Sequence, residues 1–274
     1  MLAQVQIMDR HQRIPEFSRR QWAGGCIGWL GLLRSSAAVA PSMPSRPPPL
    51  RVAVIQMDPW GMSGSFDARP VAGLSGIVPE LLDELERRTG LPTHRVLTPY
   101  ARVEAELAAG LADCSILAWS EHRAAYAIKG CKLLALDFGV LPLRSIGPVG
   151  RVEDLLSLPV AVPRGLHVAT AFDADARIPR YAVLDYAMGV RMAALRRGVY
   201  AVAGSIASIR AAARRQGLEG HFGSGLVLSQ RPVTLSFSKL SAHLAQFDRI
   251  DAILNEMAAD YTVQHVADRW LPLS

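Results

Sequence analysis

The chain has 274 residues, half of them apolar, and its 30 lysines and arginines exceed its 24 acidic residues to give a formal net charge of +6. Residues 1–40 supply +3 of that excess, so the remainder carries an ordinary surface charge rather than the basic stripe of a nucleic-acid binder. A body of about 225 residues is long enough for one large domain or two small lobes with proper cores.

The first forty residues read as an address. From Gln21 to Leu33 the chain runs 13 residues without a charge, whereas a helix crossing a bilayer needs about 20. Gly24, Gly25, Gly28 and Gly31 also make this a poor core helix, each costing about 0.5–1 kcal/mol relative to alanine. A charged leader, a modest apolar segment and Ala38-Val39-Ala40 as a small-x-small cleavage site make residues 1–40 a removable export signal. Ser18-Arg19-Arg20-Gln21-Trp22 resembles the twin-arginine signal, which implies periplasmic delivery of an already folded protein. An ordinary secretory signal with a chance arginine pair is the alternative. Cys26 follows Ala-Gly-Gly and precedes most of the apolar segment, which speaks against a lipid anchor. Residues 41–49 are rich in proline and form an extended linker. No other segment is long enough to span a membrane, and the mature protein is expected to be soluble.

Arg51 to Gln56 is a short apolar strand, followed by a Gly/Pro/Asp-rich stretch from Asp58 to Gly76. A helix follows: Pro79 suits its first turn, Leu81, Leu82 and Leu85 share a face, acids lead, Arg87 and Arg88 trail, and Gly90 with Pro92 stops it. A strand around His94 to Leu97, an amphipathic helix from Arg102 to Ala109 and the strand Cys114 to Ala118 complete a first unit. Strands alternating with helices imply a parallel sheet covered on both faces.

The order then recurs. Leu158 to Val162 is a strand, Gly165 to Ala174 a helix, Tyr181 to Val183 a strand, Tyr186 to Arg197 a helix stopped by Gly198, and Val199 to Ala203 another strand. Leu107-Ala-Ala-Gly110 falls where Leu195-Arg-Arg-Gly198 does, each at a helix end before a strand. Two similar α/β lobes are therefore expected. Extended runs at Leu133 to Leu143 and Pro232 to Phe237 lead out of the two units, and the helical tail from Leu240 to Trp270 has no sheet of its own to cover. The tail is expected to return to the first lobe. That places residues 50–138 and 236–274 in lobe 1 and 139–235 in lobe 2, joined by a two-crossing hinge with a cleft between them.

On these residues the chain resembles the family 3 extracellular solute-binding proteins of ABC importers, which have the type II periplasmic-binding-protein fold. The resemblance rests on Arg51 to Val54 followed by Asp58-Pro59-Trp60, Gly76-Ile-Val-Pro-Glu-Leu-Leu opening the first helix, Leu107-x-x-Gly110-x-x-Asp113, Ser120-x-x-Arg123, Glu153-Asp154-Leu155 before a Val-Ala-Val strand, and a helical tail ending in Trp270. It covers the whole mature chain, and order and spacing carry it. It implies binding without chemistry: a monomer takes a small solute in its cleft, the lobes close, and an ABC permease in the inner membrane reads the closed form. Ser120-Glu-His-Arg123 matches the segment whose arginine holds a solute carboxylate in amino-acid-binding relatives, and a guanidinium fork suits that anion. Ser205 stands where those relatives carry an aspartate for the amino group. That departure puts an ordinary α-amino acid in doubt.

Other candidates come from position. Trp60 and Trp119 follow strand ends, where open α/β sheets place ligand loops; each is a cleft wall or a core residue. Arg164, before an expected helix start at Gly165, adds positive charge, and helix starts at Gly165 and Ser205 add backbone donors. Ser205 also suits a purely structural helix cap. Together Trp60, Trp119, Ser120, Arg123, Arg164, Gly165 and Ser205 define a cleft for an anionic solute.

Enzymatic rivals find little support. No two histidines lie closer than 22 residues and no GxxxxGK[ST] occurs, so neither a His-x-x-x-His metal pair nor a phosphate loop is expected, and no cofactor is implied. Dehydratases resembling the same family keep a periplasmic enzyme as an alternative, and a solute sensor or accessory protein is a third. Cys114 and Cys131 either pair after export or stay reduced.

Overall fold

The structure is a computed structural model that describes residues 48–64 and 73–271. The expected export signal and most of the linker lie outside the described residues. The first unit comprises β1 (Leu50–Gln56), the short β2 (Met62–Ser63) and β3 (Leu74–Ser75), α1 (Ile77–Thr89), β4 (Thr93–Pro99), α2 (Tyr100–Ala108) and β5 (Cys114–Ala118). α1 forms where the leucine spacing places it: Leu81, Leu82 and Leu85 are buried, and Gly90 ends the helix at φ 67 with its N–H on the Glu86 carbonyl. A left-handed residue is tolerated there because glycine has no Cβ.

A long strand β6 (Ala127–Pro142) then leaves this unit. The second unit holds β7 (Val160–Pro163), α3 (Thr170–Ala174), β8 (Arg180–Val183), α4 (Tyr186–Ala194), β9 (Ala201–Ser205) and α5 (Ile206–Arg215). The chain returns along β10 (Leu226–Ser238) and finishes in α6 (Phe247–Ala259) and α7 (Thr262–Trp270).

The repetition legible in the sequence is exact in topology. β1 lies between its parallel partners β4 and β5, and β7 lies between its parallel partners β8 and β9. Each third strand then pairs antiparallel with a crossing strand, β5 with β10 and β9 with β6. β6 and β10 pair with one another along their length. The eight strands therefore make one sheet, ordered β4-β1-β5-β10-β6-β9-β7-β8. Two α/β lobes hang from a central two-stranded ribbon, which is the two-crossing hinge.

The ribbon is longer than the apolar runs suggest. Lys129, Gly130 and Lys132 interrupt the hydrophobic pattern of β6, but Lys129 and Lys132 pair with Ser236 and Thr234 of β10 all the same, across a register shift, because only one face of the ribbon needs to be apolar. The helical tail does return to lobe 1. Arg88 Nη1 meets Asp260 at 2.7 Å, Arg249 donates to the Thr89 carbonyl at 2.7 Å, and Trp270 Nε1 donates to Glu80 Oε1 at 2.7 Å. Tyr261, at φ 65, splits the tail into two helices.

One expected helix is mostly absent. Gly165 to Ala169 is a turn and coil, and only Thr170–Ala174 is helical. Gly165 sits at φ 80, and the Asp173 carboxylate caps the segment by accepting from Val168 N at 3.0 Å. Cys114 is buried in β5 and Cys131 is half-buried; both are free thiols. Among the described residues no helix is long and apolar enough to cross a membrane.

Candidate functional site

The carboxyl ends of β1, β4 and β5 in lobe 1 face those of β7 and β9 in lobe 2. Ligand loops gather at such ends because the chain must leave the sheet there and expose backbone and side chains to the crevice. Here the crevice is nearly filled by the protein itself. Ile55, Met57, Trp60, Tyr100, Leu117 and Ala118 meet Leu136, Phe138, Leu166, Tyr186 and Ser205 around a free volume of about 20 Å³. That holds about one water, whereas a solute pocket spans roughly 300–1,000 Å³.

Direct contacts hold the lobes in this arrangement. Trp60 Nε1 donates to Ser208 Oγ at 3.0 Å, and Ser208 Oγ donates to Ser205 Oγ at 3.0 Å. Ser205 Oγ also accepts from Ser208 N, capping α5 and so meeting one of the helix's unpaired donors. Asp58, after β1, forms an ion pair with Arg215 at the end of α5. Burial pushes the Asp58 carboxyl up, and the Arg215 charge only partly offsets that. The imidazoles of His122 and His167 face one another edge to face with centroids 6.2 Å apart. A Cβ at Gly165 would lie 3.1 Å from Ala101 at the start of α2, so the lobes touch there, and a methyl group would push its neighbour back by a few tenths of an ångström.

Arg123 lies under the cleft wall, 2% exposed. Its Nε and Nη2 donate to Glu104 Oε1 at 3.0 and 2.7 Å, Nη2 also donates to the Tyr100 hydroxyl at 3.2 Å, and Nη1 donates to the Ala118 carbonyl. Glu104 Oε2 is 2.9 Å from His122 Nε2. Burial would push the Glu104 carboxyl up, but the His122 bond and the Arg123 charge outweigh it and hold it below the usual range. The guanidinium expected to receive a solute carboxylate thus grips one supplied by α2.

The remaining expected residues divide. Trp60 and Ser205 line the cleft. Trp119 does not: its ring is buried, its Nε1 donates to Glu121 at 2.9 Å, and Lys129 lies over its face. Ser120 Oγ is 2.9 Å from His122 Nδ1, outside the cleft lining. Arg164 is exposed. Gly165 opens no helix and offers no dipole; it is the point of contact with α2. Sequence reasoning missed Tyr100, Phe138, Tyr186, Glu104 and Ser208. The strand-end rule that singled out Trp60 also reaches Tyr100, which directly follows β4, and Tyr186, which opens the helix after β8.

No family model matches the chain, and no curated protein matches it. Solved structures do. The chain is similar to a mutant of ArgBP from T. maritima at 19% identity and TM-score 0.66, covering 81% of this chain and 94% of that one. It is similar to the GluR0 ligand-binding core of Nostoc punctiforme in complex with L-glutamate at 16% identity and TM-score 0.68, covering 82% and 100%. It is likewise similar to a histidine kinase sensor domain related to periplasmic binding proteins, at 16% identity and TM-score 0.69, covering 83% and 97%. The chain has the type II periplasmic-binding-protein fold.

Proposed function

We propose that the protein is an exported, monomeric solute receptor of the periplasm, delivered by the twin-arginine route. Its lobes part, admit a small carboxylate-bearing solute, close on it, and present the closed form to an ABC permease in the inner membrane. The observation that carries this reading is the meeting of Trp60, Tyr100, Tyr186 and Ser205, drawn from both lobes, above one buried guanidinium. Such a solute favours closure because it touches both lobes at once. At Arg123 it trades places with Glu104, and exchanging one carboxylate for another leaves the buried charge balanced. A cationic solute would meet an arginine there instead. Ser205, where amino-acid-binding relatives are expected to carry an aspartate, lines the cleft, which favours a plain carboxylate over an amino acid.

Glu104 and His122 are paired beside Arg123, so a solute seated there lies near both, and the assay below separates binding from dehydratase-like turnover. A second reading, a sensory module that passes closure to a partner protein, draws support from the Asp58–Arg215 clasp and the tight cleft: the lobes hold one another through their own side chains, so solute has a closed form to act against. The test is calorimetry with carboxylates, neutral solutes and cations. Saturable binding of carboxylates that weakens in Tyr100→Phe supports the proposal, whereas preference for cations, or product formation on incubation, overturns it. Loss of solute uptake in cells lacking the protein separates the permease reading from the sensory one.

A further inference from the structure

A second cavity lies along the hinge ribbon beside the cleft, with Leu136 bordering both. It has a volume of about 380 Å³, within the range of ligand pockets. Its floor is the ribbon itself, Leu134 to Asp137 of β6 with Gln230 of β10; one wall is Ile206, Ala207 and Arg210 of α5, and the other is α7 with Asp268 and the following Leu271. The cavity therefore spans both lobes across the hinge.

Its charges are not spent on each other. Asp137 accepts from Gln230 at 3.0 Å through one oxygen, Asp268 accepts from Gln264 at 2.6 Å through one oxygen, and Arg210 donates one N–H to the Gly223 carbonyl at 3.0 Å. No ion pair joins these three residues among the described ones. Leu134, Leu136, Ile206 and Leu271 supply apolar surface between them. Two carboxylates and one guanidinium around an apolar floor complement a molecule that carries an ammonium, a carboxylate and an aliphatic body. We infer that this cavity is a binding site for a small aliphatic zwitterion of about dipeptide size, distinct from the cleft.

The lever arm gives the site a consequence. One wall belongs to the second lobe and the other to the first, so a rotation of the lobes about the ribbon changes the spacing of α5 and α7. An occupant wedged between α5 and α7 resists that rotation, so it holds the clamshell shut.

The test uses the purified full chain and L-leucyl-L-leucine, with the N-acetylated methyl ester of the same dipeptide as control. The free dipeptide is expected to bind saturably, the blocked one not, and Arg210→Gln or Asp268→Asn to weaken binding about tenfold or more. Ala207→Trp, which fills the cavity, is expected to abolish it. Hydrogen exchange at Tyr100 to Val103 is expected to slow on addition of the dipeptide. Absence of saturable binding at millimolar dipeptide, equal binding of the blocked form, or indifference to Arg210→Gln and Asp268→Asn each overturns the inference. Loss of dipeptide binding in Tyr186→Phe with none in Ala207→Trp would place the dipeptide in the cleft, overturning the hinge site while sparing the receptor proposal.

Discussion

Replacing Ala101 by leucine tests whether the lobes close on one another at the point the structure shows. Ala101 is exposed near the start of α2, where leucine suits the helix, so lobe 1 should fold as before. Only in the closed arrangement does residue 101 meet Gly165, whose hypothetical Cβ already lies 3.1 Å from both the Cα and Cβ of Ala101. Three added carbons crowd that contact on the side facing Gly165, while both residues are otherwise open to solvent. Overpacking a core costs about 1–3 kcal/mol; at this solvent-exposed contact the low end applies, about 1 kcal/mol on the closed form alone, or about a 5-fold shift towards open molecules. Small-angle scattering would read it as a larger radius of gyration, with thermal stability little changed. Gly165→Ala is the companion variant, but it adds strain at φ 80 of about 1–2 kcal/mol and should lower the melting temperature as well. A scattering curve for Ala101→Leu that superimposes on the parent would refute the reasoning.

Three further outcomes are expected. Arg215→Gln removes the partner of Asp58, whose carboxyl burial already pushes up; a raised folded pKa gives stability that is present in acid and lost as pH rises through it, so this variant should melt highest at low pH, and a flat profile between pH 4 and 8 would count against it. Asp113 is fully buried and accepts from Arg51 N, Nε and Nη2 and from Ser241 Oγ. Burial pushes its carboxyl up, but the Arg51 and Ser241 bonds win and hold it lowered, so its contribution is present above the ordinary carboxylate pKa and lost as pH falls through the lowered one. Asp113→Asn should therefore cost stability at neutral pH, about 1–3 kcal/mol for weakened hydrogen bonds to a guanidinium that is 40% exposed, and flatten the acid limb of the denaturation curve. Tyr186→Phe leaves the Ser205 N–H, now 3.0 Å from the Tyr186 hydroxyl, without its acceptor, and should lower stability by about 1–3 kcal/mol in urea denaturation.

How much of this the sequence carried depends on which forces act locally. The boundaries of α1 were legible because a leucine stripe, trailing arginines and Gly90 all act within a few residues, and Cys114 to Ala118 was legible because a short apolar run between turns has few other fates. The lobe repeat was visible through Gly110 and Gly198, both of which take positive φ, at 66 and 76. The segment after Gly165 misled: its pattern is helical, but the turn at Gly165 and the Asp173 cap on Val168 leave room for only a short helix. Arg123 was found as the residue with unusual chemistry, yet its partner Glu104 lies 19 positions away on a helix whose orientation no local signal gives. The contacts of Trp60 with Ser208 and of Asp58 with Arg215 join residues about 150 positions apart, and only the assembled fold brings them together.

The ribbon of β6 and β10 also orders events during synthesis. Everything the second lobe needs has left the ribosome once Ser238 emerges, while the first lobe still waits for α6 and α7 to cover α1. The inner module can therefore mature while the outer one is incomplete, and truncation near residue 245 should leave a chain with one finished half and one exposed greasy flank.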